Sequence, residues 1–130
     1  MKFEHIAINV PEPRAMTNWY TKHMGLQIIQ QEKKPPYTTF LADDSGNMML
    51  EIYKNPPDNI PDYWQMDPLL LHLAFVSTQP GQDMNRLKEA GAKLIVDEQL
   101  DAKSRVIMMR DPWGVPIQLC KRGRSMLSNY

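Results

Sequence analysis

Apolar and polar positions along the chain switch between a period of two and a helical period, and the same succession occurs twice. FEHIAINV at 3–10 and LLHLAFVS at 70–77 are apolar-rich strands, each with a histidine near its start. NWYTKHMGLQII and MNRLKEAGAKLI each read as an amphipathic helix that stops at a glycine, Gly25 or Gly91, and runs into an apolar strand. LADDSGNMMLEIYK and MMRDPWGVPIQLCKR each read as a strand, an Asp-initiated turn and another strand. The register is tight: 67 residues separate His5 from His72, and 67 separate Glu51 from Gln118.

Each half therefore predicts a βαβββ module, 3–54 and 69–121, with strands near 26–32, 37–43, 47–53, 93–97, 104–110 and 115–121. The first helix carries Met16, Trp19, Tyr20 and Met24 at helical spacing, with Pro13 in its first turn and Gly25 at its carboxyl cap. The second, shorter helix runs from about Gly81 to Ala90. Between the modules lies NPPDNIPDYWQMDP, 55–68, whose prolines Pro56, Pro57, Pro61 and Pro68 argue against a regular strand or helix. This stretch reads as a linker packed by Tyr63 and Trp64, and residues 122–130 as a surface tail. The expected class is α+β, a single domain of paired modules whose mixed sheets form a cupped, barrel-like surface with pseudo-twofold symmetry.

Strand alternation decides which side chains face the cup. His5 shares a face with Phe3, Ala7 and Asn9, while Ile6, Ile8 and Val10 look toward the helix. His72 lies with Ala74 and Val76, Glu51 with Met49 and Tyr53, and Gln118 with Pro116 and Cys120. Four polar side chains thus interrupt four apolar strands at equivalent positions. Any one of them suits a satisfied sheet residue, but all four in repeat register point to a shared site. A buried lone carboxylate costs several kcal/mol unless paired or metal-bound. Two imidazoles, one carboxylate and one amide oxygen match a divalent Zn, Ni, Co, Mn or Fe ion, and these donor types do not choose among them.

Composition narrows the partners. The chain has 130 residues, 15 basic and 15 acidic side chains and a formal net charge of zero, so it offers no field for nucleic acid or an anionic membrane surface. No apolar run reaches the roughly 18 residues of a membrane span, and the opening MKFEHIAINV has no signal-peptide core, which reads as cytoplasmic. The one cysteine, Cys120, excludes an intrachain disulfide and suits a buried small hydrophobe. Asp111, Pro112, Trp113 and Gly114 read as a turn feeding the last strand, whereas Arg105 and Arg110 bring charge able to bind a substrate carboxylate.

His5, Glu51, His72 and Gln118, set in paired βαβββ units with the ADDSGNMMLEIY and RDPWGVPIQL turns, resemble the vicinal oxygen chelate superfamily of glyoxalase I, fosfomycin-resistance proteins, methylmalonyl-CoA epimerase and extradiol dioxygenases. The resemblance spans about residues 3–121 and implies metal ligands on the first and fourth strands of each unit. Glyoxalase I is similar at three of four ligand positions. At the fourth this chain has Gln118, which can ligate through its amide oxygen but cannot take a proton. Asn55 matches the asparagine with which that enzyme contacts glutathione, while Asn9 and Pro68 stand where arginines are expected.

The resemblance implies Lewis-acid chemistry on a small molecule with two adjacent oxygens, with polarisation of a carbonyl, stabilisation of an enediolate and Glu51 as the single base. Asn9, Tyr53 and Asn55 are the expected substrate contacts. This reading makes the protein a glyoxalase-like metal-dependent lyase or isomerase. Two alternatives use the same cup: an Fe(II) extradiol-type dioxygenase, and a metal-free binding or sequestering protein of the bleomycin-resistance type. A homodimer is expected from the family and from the exposed edges that two small sheets leave.

Overall fold

Residues 1–127 are described by the computed structural model; the last three residues of the expected tail, 128–130, lie outside the described residues. Among the described residues the chain is α+β, with two α-helices and two four-stranded mixed sheets, and it divides into the units Met1–Pro61 and Asp62–Tyr130. The division falls inside the proline-rich stretch, so residues 55–61 belong to the first unit and 62–68 to the second.

In the first unit, β1 (His5–Asn9) leads into α1 (Pro13–Met24), followed by β2 (Gln27–Gln31), β3 (Thr39–Ala42) and β4 (Met49–Tyr53). The sheet order is β1-β4-β3-β2, with β1 parallel to β4 and the other pairs antiparallel. Pro13 opens α1, where its missing N–H costs nothing, and Gly25 ends it in the left-handed region at φ 70°. Met16, Trp19 and Tyr20 are buried on α1, as are Ile8, Val10, Leu41, Leu50 and Ile52 from the sheet. Each such side chain contributes about 1.5–3 kcal/mol by leaving water.

The second unit repeats the plan with β5 (Leu73–Val76), α2 (Pro80–Glu89), β6 (Lys93–Gln99), β7 (Arg105–Arg110) and β8 (Pro116–Lys121), in sheet order β5-β8-β7-β6. Again the first and last strands pair in parallel. Ala7 lies opposite Glu51 in one sheet and Ala74 opposite Gln118 in the other, so strand pairing preserves the 67-residue offset of the sequence repeat. Leu87 of α2 is buried, along with Ile107, Met109, Ile117 and Leu119 of its sheet.

Three features differ from the sequence reading. Tyr63–Gln65 form a single turn of 3-10 helix within the stretch expected to be irregular, because Pro61 and Pro68 leave room for one tight turn between them. Its backbone closes through Gln65 N–H to the Asp62 carbonyl and Met66 N–H to the Tyr63 carbonyl. β5 begins at Leu73 rather than near residue 70, since the Asp67 carboxylate and carbonyl accept the Leu69 and Leu70 N–H groups and hold a turn there. The edge strands β2 and β6 are each bulged, the pairing register skipping Ile29 in one and Ile95 in the other.

Candidate functional site

His5 and Glu51 meet inside the first unit. β1 and β4 run parallel with Ala7 opposite Glu51, so His5, two positions back on the same face, reaches toward that carboxylate. His5 Nε2 lies 3.1 Å from Glu51 Oε2, and His5 Nδ1 lies 2.8 Å from Glu4 Oε1. The His5 side chain is 36% exposed and Glu51 17%, and the edge of the His5 ring meets Phe40 with centroids 5.6 Å apart.

The two histidine contacts constrain each other. A carboxylate only accepts hydrogen bonds, so the short contact to Glu4 requires a proton on Nδ1. The contact to Glu51 makes the same demand of Nε2, so neutral His5 satisfies only one of the two carboxylates, and a second proton or a metal ion has to sit at the other. The pair therefore fits a divalent cation by its donor chemistry.

The second unit supplies the equivalent residues. His72 immediately precedes β5, and its Nδ1 lies 2.9 Å from the Pro68 carbonyl oxygen, which can only accept and so places a proton on Nδ1. Gln118 stands mid-β8, and its Oε1 accepts a hydrogen bond from Cys120 Sγ at 3.0 Å. Burial pushes the Cys120 thiol pKa up, with the Arg122 charge opposing. The expected donors divide two and two between the units. Within either unit, among the described residues, no three His, Cys, Asp or Glu side chains gather as a metal-binding group.

The expected substrate contacts have distinct settings. Asn9 is engaged with its own unit: its Nδ2 donates to the carbonyls of Pro56 at 2.9 Å and Asn59 at 3.0 Å, and its Oδ1 accepts the Asn55 N–H at 2.8 Å. It thereby ties the loop after β4 to the end of β1. Asn55 is exposed in that loop, and Tyr53 is half-buried at the end of β4. The turn at 111–114 is structural as expected, with buried Asp111 accepting the N–H groups of Trp113 and Val115.

Neither arginine is available to a substrate carboxylate in the manner the sequence suggested. Arg105 makes a two-pronged pair with Asp97 at 2.6 and 2.8 Å, whose hydrogen bond is the main cause lowering the Asp97 pKa. Arg110 donates to the backbone carbonyls of Tyr63, Met66 and Gly114. A depression of about 440 Å³ in the second unit is bordered by Leu100, Lys103, Arg122 and Arg124, and no expected site residue lines it.

Glu4 escaped the sequence reading. The repeat places Leu71 at the corresponding position, so register gave no hint of a function, and strand alternation would send Glu4 away from His5. It lies just before β1, where the alternation rule does not hold. An acidic residue next to a candidate histidine at a strand entry was the one local signal.

Two mixed β1-β4-β3-β2-type sheets with one helix each, built on a 67-residue repeat, define a fold class that comparison with known proteins identifies. The chain matches the family model of the Glyoxalase/Bleomycin resistance protein/Dioxygenase superfamily over residues 2–119, and it belongs to that superfamily. No curated protein matches the chain. Among solved structures it is similar to TnmS3, an antibiotic binding protein from Streptomyces sp. CB03234, with 17% identity, a TM-score of 0.70 and coverage of 92% of this chain and 93% of that one. It is also similar to a glyoxalase family protein from Bacillus cereus, with 17% identity, a TM-score of 0.70 and coverage of 95% and 94%. A third, the glyoxalase family protein from Enterococcus faecalis, has 22% identity, a TM-score of 0.68 and coverage of 92% and 96%. At these identities the likeness is one of fold. No described helix is long and apolar enough to cross a membrane.

Proposed function

We propose that the protein is a divalent-metal-dependent lyase or isomerase acting on a small molecule with two adjacent oxygens. The observation that carries this reading is the facing of His5 Nε2 and Glu51 Oε2 at 3.1 Å while Glu4 occupies Nδ1. His5, Glu51, His72 and Gln118 are the proposed ligands, within one domain made of both modules. Zn, Ni, Co, Mn or Fe at that set would polarise a substrate carbonyl and acidify the adjacent C–H. Glu51 is the proposed base: it is the one carboxylate among the proposed ligands, whereas Gln118 cannot take a proton. Asn55 and Tyr53 are proposed substrate contacts, with Asn9 acting through the loop it holds. The homodimer belongs to the same proposal and is supported by the exposed Ile28 and Ile29 of β2 and Leu94, Ile95 and Val96 of β6.

A second reading, a metal-free small-molecule binder, is favoured by Gln118 in place of a second carboxylate and by the antibiotic-binding neighbour of like fold. Elemental analysis of dialysed protein separates the two. About one transition metal ion per chain, lost in Glu51→Gln, supports the enzyme. No metal in either protein after reloading refutes it and leaves the binder.

A further inference from the structure

We infer that Glu4 is a positioning residue for His5, which selects Nε2 as the nitrogen presented to the proposed metal and holds the ring against rotation. The inference rests on the metal reading above and adds a residue that neither the repeat nor the superfamily match assigns. Histidine in water prefers to carry its proton on Nε2, the wrong nitrogen to leave free for a ligand directed at Glu51. Glu4 opposes that preference, because its Oε1 lies 2.8 Å from Nδ1 and can only accept, while Glu51 Oε2 at 3.1 Å from Nε2 acts the other way until a metal ion takes its lone pairs. His72 has the same arrangement from a different source, the Pro68 carbonyl at 2.9 Å from its Nδ1. Both candidate imidazoles therefore have Nδ1 engaged, one through a side chain and one through backbone, and in His5 this turns Nε2 toward Glu51. A carboxylate behind a ligating imidazole also raises its basicity, and such outer partners typically carry ten- to a hundredfold in metal affinity.

The Glu4 side chain is 72% exposed, so its hold on His5 is partly screened and the expected effect is at the low end of that range. Exposure also makes Glu4→Ala a mild change for folding, in contrast to substitutions on the strand itself.

The test uses the full chain and two readouts. Long-range ¹H–¹⁵N NMR of the Zn(II)-loaded protein reports which nitrogen of His5 carries the proton and which faces the metal. Zn(II) titration by calorimetry against a competing chelator reports affinity. Expected are a proton on Nδ1 with Nε2 on the metal in the wild type, loss of the protected Nδ1–H signal of His5 in Glu4→Ala with that of His72 unchanged, and about tenfold weaker Zn(II) binding. A proton on Nε2 of His5 in the Zn(II)-loaded wild type, or equal Zn(II) affinity in the two proteins, overturns the role of Glu4. If Zn(II) binding is lost in Glu51→Gln yet unchanged in Glu4→Ala, only the Glu4 role falls. If the wild type binds none of Zn(II), Ni(II), Co(II), Mn(II) and Fe(II), the metal reading itself falls and takes the role of Glu4 with it.

Discussion

Arg110→Met tests whether the stretch before β5 is held from the far end of its own unit. The guanidinium donates from Nη1 to the Tyr63 carbonyl at 2.7 Å and the Gly114 carbonyl at 3.2 Å, and from Nη2 to the Met66 carbonyl at 2.8 Å. A hydrogen bond from a charged group contributes about 1.5 kcal/mol at the low end of its range. Three would come to about 4–5 kcal/mol, and partial exposure with shared geometry reduces this to about 3 kcal/mol. Methionine keeps most of the aliphatic packing, so the loss is assigned to the polar contacts. For a chain of this length about 1 kcal/mol corresponds to 3–4 °C, which predicts a melting point lower by about 10 °C. Amide exchange gives the location: protection at 63–68 falls first, and His72 loses order because the Pro68 carbonyl that holds its Nδ1 lies in the released segment. Arg110→Lys recovers less than half, since an ammonium cannot span all three carbonyls. A loss below about 1 kcal/mol, with exchange at 63–68 unchanged, would refute the clamp.

Gly114→Ala is expected to cost about 3 kcal/mol in urea denaturation, because φ is +92° and the added Cβ would lie 2.7 Å from the Trp64 ring and 2.8 Å from its backbone nitrogen; a cost under about 1 kcal/mol would contradict that contact. Asp97→Asn is expected to remove about 0.5 kcal/mol at neutral pH. Arg105 lowers the folded-state pKa of Asp97, so its stabilisation is full above the ordinary carboxylate pKa and fades as pH falls through the lowered one. Stability curves for wild type and variant should therefore converge in acid, and a gap that widens there would reverse the sign of the argument. Cys120, buried and with its thiol pKa raised, should react with iodoacetamide at pH 8 at least about tenfold more slowly in the native chain than in urea, as mass spectrometry would record.

Local rules carried the fold a long way. Pro13 and Gly25 bound α1 because each acts on its own backbone, and the 67-residue offset survives into the Ala7–Glu51 and Ala74–Gln118 pairings because a strand register keeps a sequence spacing intact. The bulges at Ile29 and Ile95 left no mark, since neither is a Gly or Pro and the skip is dictated by partners on β3 and β7. Arg110 was misread for a related reason: the Tyr63 and Met66 carbonyls it binds lie 47 and 44 residues earlier in the chain. At the candidate site, the contact between His5 and Glu51 accords with the repeat pattern, whereas Glu4 was hidden by applying strand alternation one residue beyond where the strand begins.

The paired bulges bear on how the chain survives its own crowding in a cell. KLIVDEQ, the whole of β6, is exposed and has the run of apolar, β-branched residues from which ordered aggregates nucleate. An intruding strand must zip along an uninterrupted ladder to gain a foothold. At Leu94 and Val96 the ladder is already out of step, with the intervening Ile95 unpaired. β2 carries the same break at Ile29, so these two edge strands, one in each unit, present a kinked template that disfavours continuous strand addition by an arbitrary chain.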